Sequence, residues 1–291
     1  MNAGRVVVTG ANGIIGRAVV SRLREAGLDV IPIVRAPAQA SEAIVLDLAK
    51  PDVIFASTVS RADAVVHLAA AVPHAARHGD TDAAASETRR IDETVHRACA
   101  DRGCYTVYAS TCGLYDRRDP GIKDESAAVS ATSPYFRAKL AGEALMASLP
   151  QSCVMRVSAV VGPGLRRGLV LAKFIERARA GETIELWGSG RREQDFVAAE
   201  DIAEFILAAL SRRACGLFNV ASGQPVTMRD LAETVVAAIG AGSVGSAGKA
   251  DPLEGETARY SVARAARTLG WRSRVPLHDA IAGLANAAFP A

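Results

Sequence analysis

Several things this chain does not have narrow it at once. Cysteine is sparse and odd in number, at positions 99, 104, 112, 153 and 215, with no Cys-x-x-Cys spacing. That pattern excludes a disulfide framework and a zinc ribbon, and it fits a reducing compartment. No Lys/Arg run occurs: the pairs Arg89–Arg90, Arg117–Arg118 and Arg191–Arg192 stand alone, and the formal net charge is only +3 with the signs interspersed. A nucleic-acid partner is therefore not expected. No apolar stretch is long and uninterrupted enough to span a bilayer, so no membrane partner is expected either. No targeting segment precedes the strand-like run Arg5-Val6-Val7-Val8-Thr9, which makes a cytoplasmic location the expectation. No internal repeat is present.

What is there is a chain of 291 residues, 49% hydrophobic and 22% charged, the composition of a globular protein with room for a large α/β core. Short β-branched runs at 6–8, 30–34, 43–46, 64–67, 105–109 and 154–157 alternate with helical patterns at 14–25, 85–102 and 135–148. This rhythm predicts an α/β fold with a doubly wound parallel (Rossmann) sheet over residues 1–160. After Val161-Gly162-Pro163-Gly164 the pattern is less regular, with helices at 168–180, 200–212 and 227–239 and strands near 183–186 and 216–220. Residues 161–291 are expected to form mostly a smaller lobe, with part of the chain returning to the main sheet. The Gly- and Ser-rich stretch 240–251 is expected to be a flexible loop or linker.

The segment TGANGIIG (9–16) follows the first strand and opens a helix, with Gly10, Gly13 and Gly16 three apart. Gly10 permits a tight turn, Gly13 lets backbone approach a pyrophosphate at the helix N-terminus, and Gly16 is expected to let helix and sheet pack closely. The second strand ends in Arg35, where an NAD-type fingerprint carries an acid for the ribose hydroxyls. A guanidinium suits a 2′-phosphate, so NADP(H) is the preferred cofactor, with NAD(H) the alternative. Asp47, after the third strand, is a candidate partner for an adenine amino group or an exposed turn residue.

In TSPYFRAKLAGEAL, Ser133 caps a helix and Pro134 suits its first position. Tyr135 and Lys139 lie i and i+4 on one face, so their heads can converge. A free phenol ionises near 10, and an adjacent ammonium is expected to lower that value. Ser110 and Thr111 close the fifth strand ahead of this helix. The order is glycine turn, strand-end hydroxyl, then Tyr-x-x-x-Lys.

With these motifs, and with VVHLAAA (65–71), RVSAVVGPG (156–164), ELWGSGRREQDFVAAEDIAEFI (185–206), GLFNVASGQPVTMRDLAE (216–233) and ARTLGWRSRVPLHDAI (266–281), the chain resembles the extended short-chain dehydrogenase/reductases. That family contains nucleotide-sugar epimerases, dehydratases and ketoreductases. The resemblance implies that Thr111 bonds the reacting oxygen, Tyr135 moves a proton, and Lys139 tunes Tyr135 and holds the nicotinamide ribose. It implies cofactor contacts at Gly10, Asn12, Gly13, Ile14, Ile15, Gly16, Arg35, Asp47, Leu48, Leu68, Ala69, Ala70, Tyr135 and Lys139. It also implies a substrate-binding C-terminal lobe and a homodimer through the Tyr-x-x-x-Lys helix.

Departures from the family pattern sharpen the reading. Dehydratases place Asp-Glu after the catalytic Thr, where this chain has Cys112 and Gly113, so 4,6-dehydration is not expected. Cys112 is one position away from the catalytic cysteine of 3,5-epimerases and reads as a packed residue. Gln194 stands where the family has an arginine for the substrate diphosphate. Arg191, Arg192 and Arg259, with Thr111 and Tyr135, are then the candidate substrate-binding residues. His67 is expected near the cofactor without a chemical role. His74 and His78 lack a third ligand and are assigned to a loop over the cofactor, so no metal is expected. The expectation is an NADP(H)-dependent ketoreductase of a nucleotide-activated 4-keto-6-deoxy sugar. The alternatives are an NAD-dependent nucleotide-sugar 4-epimerase, a reductase of a non-sugar ketone and a non-catalytic dinucleotide-binding sensor.

Overall fold

The structure is a computed structural model that describes residues 4–37, 42–50, 53–73 and 81–290. In chain order the first half comprises β1 (Arg5–Thr9), α1 (Ile14–Glu25), β2 (Asp29–Val34), β3 (Ile44–Val45), α2 (Val53–Val59), β4 (Ala64–His67), α3 (Thr81–Arg102), β5 (Tyr105–Thr111), α4 (Pro134–Ala147) and β6 (Ser152–Val157). There follow β7 (Ala159–Val161), α5 (Val170–Arg179), β8 (Thr183–Leu186), β9 (Glu193–Gln194), β10 (Phe196–Ala198), α6 (Ala199–Arg212) and β11 (Gly216–Val220). The chain ends with β12 (Val226–Thr227), α7 (Met228–Ile239), β13 (Ser243–Ser246), α8 (Ala263–Leu269) and α9 (Leu277–Ala282).

Seven strands form one parallel sheet in the order β11-β6-β5-β4-β1-β2-β3. The strands read as apolar runs because both faces are covered. β1 sends Val6 and Val8 into the cluster beneath α1, α6 and α8, where Val19, Leu23, Phe205, Ile206 and Trp271 lie, and Val7 into the opposite cluster with Phe55, Ile91, Val95 and Met146. That is the period-2 alternation of a strand. The order reverses between β1 and β4, so the crevice at their C-terminal ends is the place where such sheets take a ligand. Thr9 and His67 stand side by side at those ends.

A second core, centred on Leu171, Ile175, Ile184, Leu231, Val235 and Ile281, joins α5, α7 and α9 in the C-terminal lobe. β11 leaves that part of the chain and pairs with β6, as Leu217 opposite Val154 shows. The 240–251 stretch departs from its expectation: Ser243–Ser246 is β13, parallel to β8. Glycine permits this, since a Cβ on Gly245 would stand 2.8 Å from Thr183 Cγ2 and one on Gly242 2.8 Å from the Glu182 carbonyl. α3 begins at Thr81, a turn earlier than expected, and α2 is an added element. His74 and His78 lie outside the described residues. Among the described residues no helix is long and apolar enough to cross a membrane, and no cluster of three potential metal ligands occurs.

Candidate active site

The glycine turn sits at the reversal point. Gly10 has φ +68°, and a Cβ there would stand 2.8 Å from the Ala69 amide nitrogen, so β4's exit loop lies directly against the turn. A Cβ on Gly16 would overlap the Gly10 carbonyl and come within 2.7 Å of Ala11 Cα. Gly16 therefore admits the turn itself, rather than easing helix against sheet as its spacing suggested. Gly13 caps α1 without a side-chain bond, and no acid stands in the first turn. The open amides and the positive helix end suit a pyrophosphate, and the residues present fit a dinucleotide.

The other expected cofactor contacts divide. Asn12 Nδ2 donates to the Ala36 carbonyl at 3.2 Å, tying the turn to the end of β2. Ile14 packs on the C-terminal core and Ile15 on the main one, while Leu68 and Ala69 are partly buried beside the turn and Ala70 follows them. The Leu48 side chain is committed to the core. Asp47 accepts from the Ala49 amide at 3.1 Å and pairs with Lys50 at 3.3 Å, which makes it a turn residue here. Arg35 is largely exposed, and its Nη1 lies 2.9 Å from Glu87 Oε1 on α3.

α4 starts as expected: Ser133 Oγ accepts from the Phe136 amide at 3.1 Å, and Pro134 occupies the first position. Its Phe136 ring packs where a Gly113 Cβ would be, next to Thr111, so α4 is seated on the end of β5. Thr111 Oγ1 accepts from the Gly113 amide at 3.0 Å, capping the short 3-10 turn Cys112–Leu114. Its own proton is not used in that bond. Ser110 instead donates to Glu143, whose carboxylate is gripped by Arg156 at 2.9 and 2.7 Å. The neighbouring hydroxyls thus have different duties. Cys112 is buried and its thiol donates to the Arg156 carbonyl at 3.2 Å; burial pushes that thiol well above its ordinary range, which suits a packed residue.

Tyr135 is pushed up to about 12 by burial, with Asp92 adding to the rise and Arg166 opposing it. The expected lowering by Lys139 does not occur. Lys139 is buried with its ammonium 4.0 Å above the centre of the Tyr108 ring. Burial pulls Lys139 down, while Asp92 and Glu143 favour its charge. Its field is spent on carboxylates.

Those carboxylates are part of a network that sequence reasoning missed. Thr9 Oγ1 accepts from the Leu68 and Ala69 amides, both at 3.2 Å, and lies 2.8 Å from His67 Nδ1. With both lone pairs engaged, the Thr9 hydroxyl must donate to Nδ1, leaving the proton of His67 on Nε2. Nε2 stands 3.0 Å from Asp92 Oδ1, and the Tyr108 hydroxyl donates to Asp92 Oδ2 at 2.8 Å. Burial alone would raise Asp92, but Lys139 and these two donors outweigh it and hold the carboxyl below its usual range. Burial also depresses His67, which keeps it neutral. A signal existed: Asp92 falls on the buried stripe of α3 with Thr88, Ile91, Val95 and Cys99.

In the C-terminal lobe, Arg192 pairs with Asp251 at 2.9 Å and Arg259 grips Glu193 at 2.7 and 2.9 Å, while Arg191 is exposed and bonds Ser189. Asp195 is buried and accepts from Ser158, Ser222 and Gly223, joining the lobe to the end of β11.

A Rossmann sheet with an open glycine turn at its reversal point, followed by Thr111 at the end of β5 and Tyr135 and Lys139 on α4, is the order of a dinucleotide-dependent oxidoreductase of short-chain type. Residues 6–221 match the model of the NAD dependent epimerase/dehydratase family, and the chain belongs to that family of NAD(P)-dependent enzymes. It is 26% identical to a UDP-glucose 4-epimerase of Mycolicibacterium smegmatis over 304 residues, 96% of each chain. It is 28% identical to a dTDP-4-dehydro-6-deoxy-D-allose reductase of Streptomyces bikiniensis over 271 residues, 82% of each. Among solved structures it is similar to MoeE5 in complex with UDP-glucuronic acid and NAD, with TM-score 0.83, 26% identity and coverage of 96% of this chain and 97% of that one.

Proposed function

We propose that the protein reduces a nucleotide-activated keto sugar at C4 of a 4-keto-6-deoxy sugar, consuming NADPH. The observation that carries this is Tyr135. Held at about 12 by burial, its phenol is protonated at neutral pH and stands as a donor. A developing alkoxide is more basic than a phenolate, so the proton passes downhill from Tyr135 to the carbonyl oxygen. Thr111 donates its free proton to the same oxygen, and Lys139 provides a buried positive charge for the site. The glycine turn, α1 and Arg35 would hold the cofactor, which when bound supplies the hydride to the carbonyl carbon.

The second reading is an NAD-dependent nucleotide-sugar 4-epimerase. It is favoured by Glu87, whose carboxylate pairs with Arg35 and would compete with a 2′-phosphate for it. A panel of TDP-, UDP- and GDP-linked 4-keto sugars tests both. Steady oxidation of NADPH is expected from the natural protein, and Tyr135→Phe should lower it by about 100-fold or more while cofactor binding persists. Redox-neutral interconversion with retained cofactor would select the epimerase. Cofactor binding without turnover of any substrate would select the sensor.

A further inference from the structure

Both oxygens of Glu143 are already held by Arg156 from β6, with Ser110 of β5 adding a donor, so its pull on Lys139 is opposed by a neighbouring cation. The other carboxylate that favours the buried ammonium is Asp92 of α3. That carboxylate is itself clamped from two strands, by His67 of β4 at 3.0 Å and by Tyr108 of β5 at 2.8 Å. Tyr108 serves twice, bonding Asp92 through its hydroxyl and carrying the Lys139 ammonium over its ring face. α4 comes close enough for this only because Gly142, three residues beyond Lys139, has no side chain: a Cβ there would overlap both the Tyr108 hydroxyl and Asp92 Oδ2. The clamp also continues to the glycine turn, since His67 is anchored by Thr9, the residue before Gly10.

We propose that Asp92 is the positioning residue of Lys139: its carboxylate, fixed by His67 and Tyr108, keeps the ammonium charged and in place within the site. The charged and titratable groups around the pair are few. Lys139 lies over the Tyr108 ring of β5 and feels the charges of Asp92 from α3 and Glu143 on its own helix, without a direct ion pair to either. Asp92 bonds His67 from β4 and Tyr108 from β5, and its charge is felt by Lys139 and Tyr135 of α4. Two acids and two bases (Asp92, Glu143, Lys139, Arg156) balance among buried side chains, so removal of the Asp92 charge leaves a net buried positive charge beside Lys139. The effect on turnover rests on the reading of Lys139 as part of the catalytic set; the effect on its protonation does not.

The test is a pH titration of the lysine side chains by NMR, in cofactor-free protein labelled at the lysine ε-carbons, with Lys139 assigned from K139M. Lys139 is expected to lose its proton at lower pH in D92N than in the natural protein, and D92E is expected to restore the natural behaviour. The pH dependence of turnover should move in the same direction, with a loss on the order of tenfold at neutral pH. An unchanged Lys139 titration in D92N would overturn the proposal. Should D92N not fold, imidazole nitrogen shifts of the natural protein decide. His67 must carry its proton on Nε2 at neutral pH, and an Nδ1–H ring there would overturn the proposal. A shifted Lys139 in a protein that turns over no sugar nucleotide supports the Asp92 assignment and removes the functional reading.

Discussion

At the scale of single residues, identical chemistry is sorted by neighbours. Ser110 and Thr111 are adjacent hydroxyls, yet one is consumed by Glu143 and the other keeps its proton. Arg35 shows the same dependence. Its position at the end of β2 argues for a 2′-phosphate, while its contact with Glu87 sets a carboxylate against that charge. Both groups face solvent enough for the pair to exchange partners at little cost. Binding of NADPH should exceed that of NADH, R35A should erase the difference, and E87Q should tighten NADPH severalfold without helping NADH. Equal dissociation constants for the two cofactors in all three proteins would remove Arg35 from the argument; equilibrium fluorescence titration measures them.

At the scale of elements, the turn from β1 into α1 has the least slack. Gly16 is a helical residue one turn in, and its missing Cβ is what allows the helix to fold back over Gly10 and Ala11. Alanine there must displace backbone rather than a flexible side chain, so G16A should cost roughly 1–3 kcal/mol in a urea unfolding titration. It should also weaken dinucleotide binding more than it weakens the fold, because the displaced backbone belongs to the turn proposed to hold the pyrophosphate. The β8–β13 pairing carries a second lesson at this scale. Composition marks 240–251 as loop, but Gly242 and Gly245 are there to bring two backbones together.

At the scale of the whole molecule, the His67–Asp92 pair makes the fold sensitive to acid. The His67 value is depressed in the folded protein, so below about 6.5 the unfolded chain takes a proton that the native imidazole refuses, and stability falls with pH. Asp92 is also depressed, and the stability it contributes above its ordinary value of 3.8 is lost as pH drops further. Unfolding free energy measured by denaturant across pH should therefore decline in two stages. H67N should flatten the first stage, and D92N the second.

The local patterns of this chain were sufficient for its class. Alternating apolar runs, three glycines at fixed spacing, a cap with proline, and Tyr-x-x-x-Lys all act through contacts a few residues apart, so the Rossmann sheet, the turn and the α4 start were legible from sequence. Asp92 was partly legible, as an acid on an apolar stripe, but its purpose was not. The pairings of Asp92 with His67, Arg35 with Glu87, and Arg259 with Glu193 join residues 25, 52 and 66 positions apart. Only the packed sheet brings them within bonding range. Sequence spacing placed Lys139 near Tyr135 on one helical face; burial and the competing carboxylates decided where its charge is felt, because inside a protein a charge answers to its nearest uncompensated partner rather than to its neighbour along the chain.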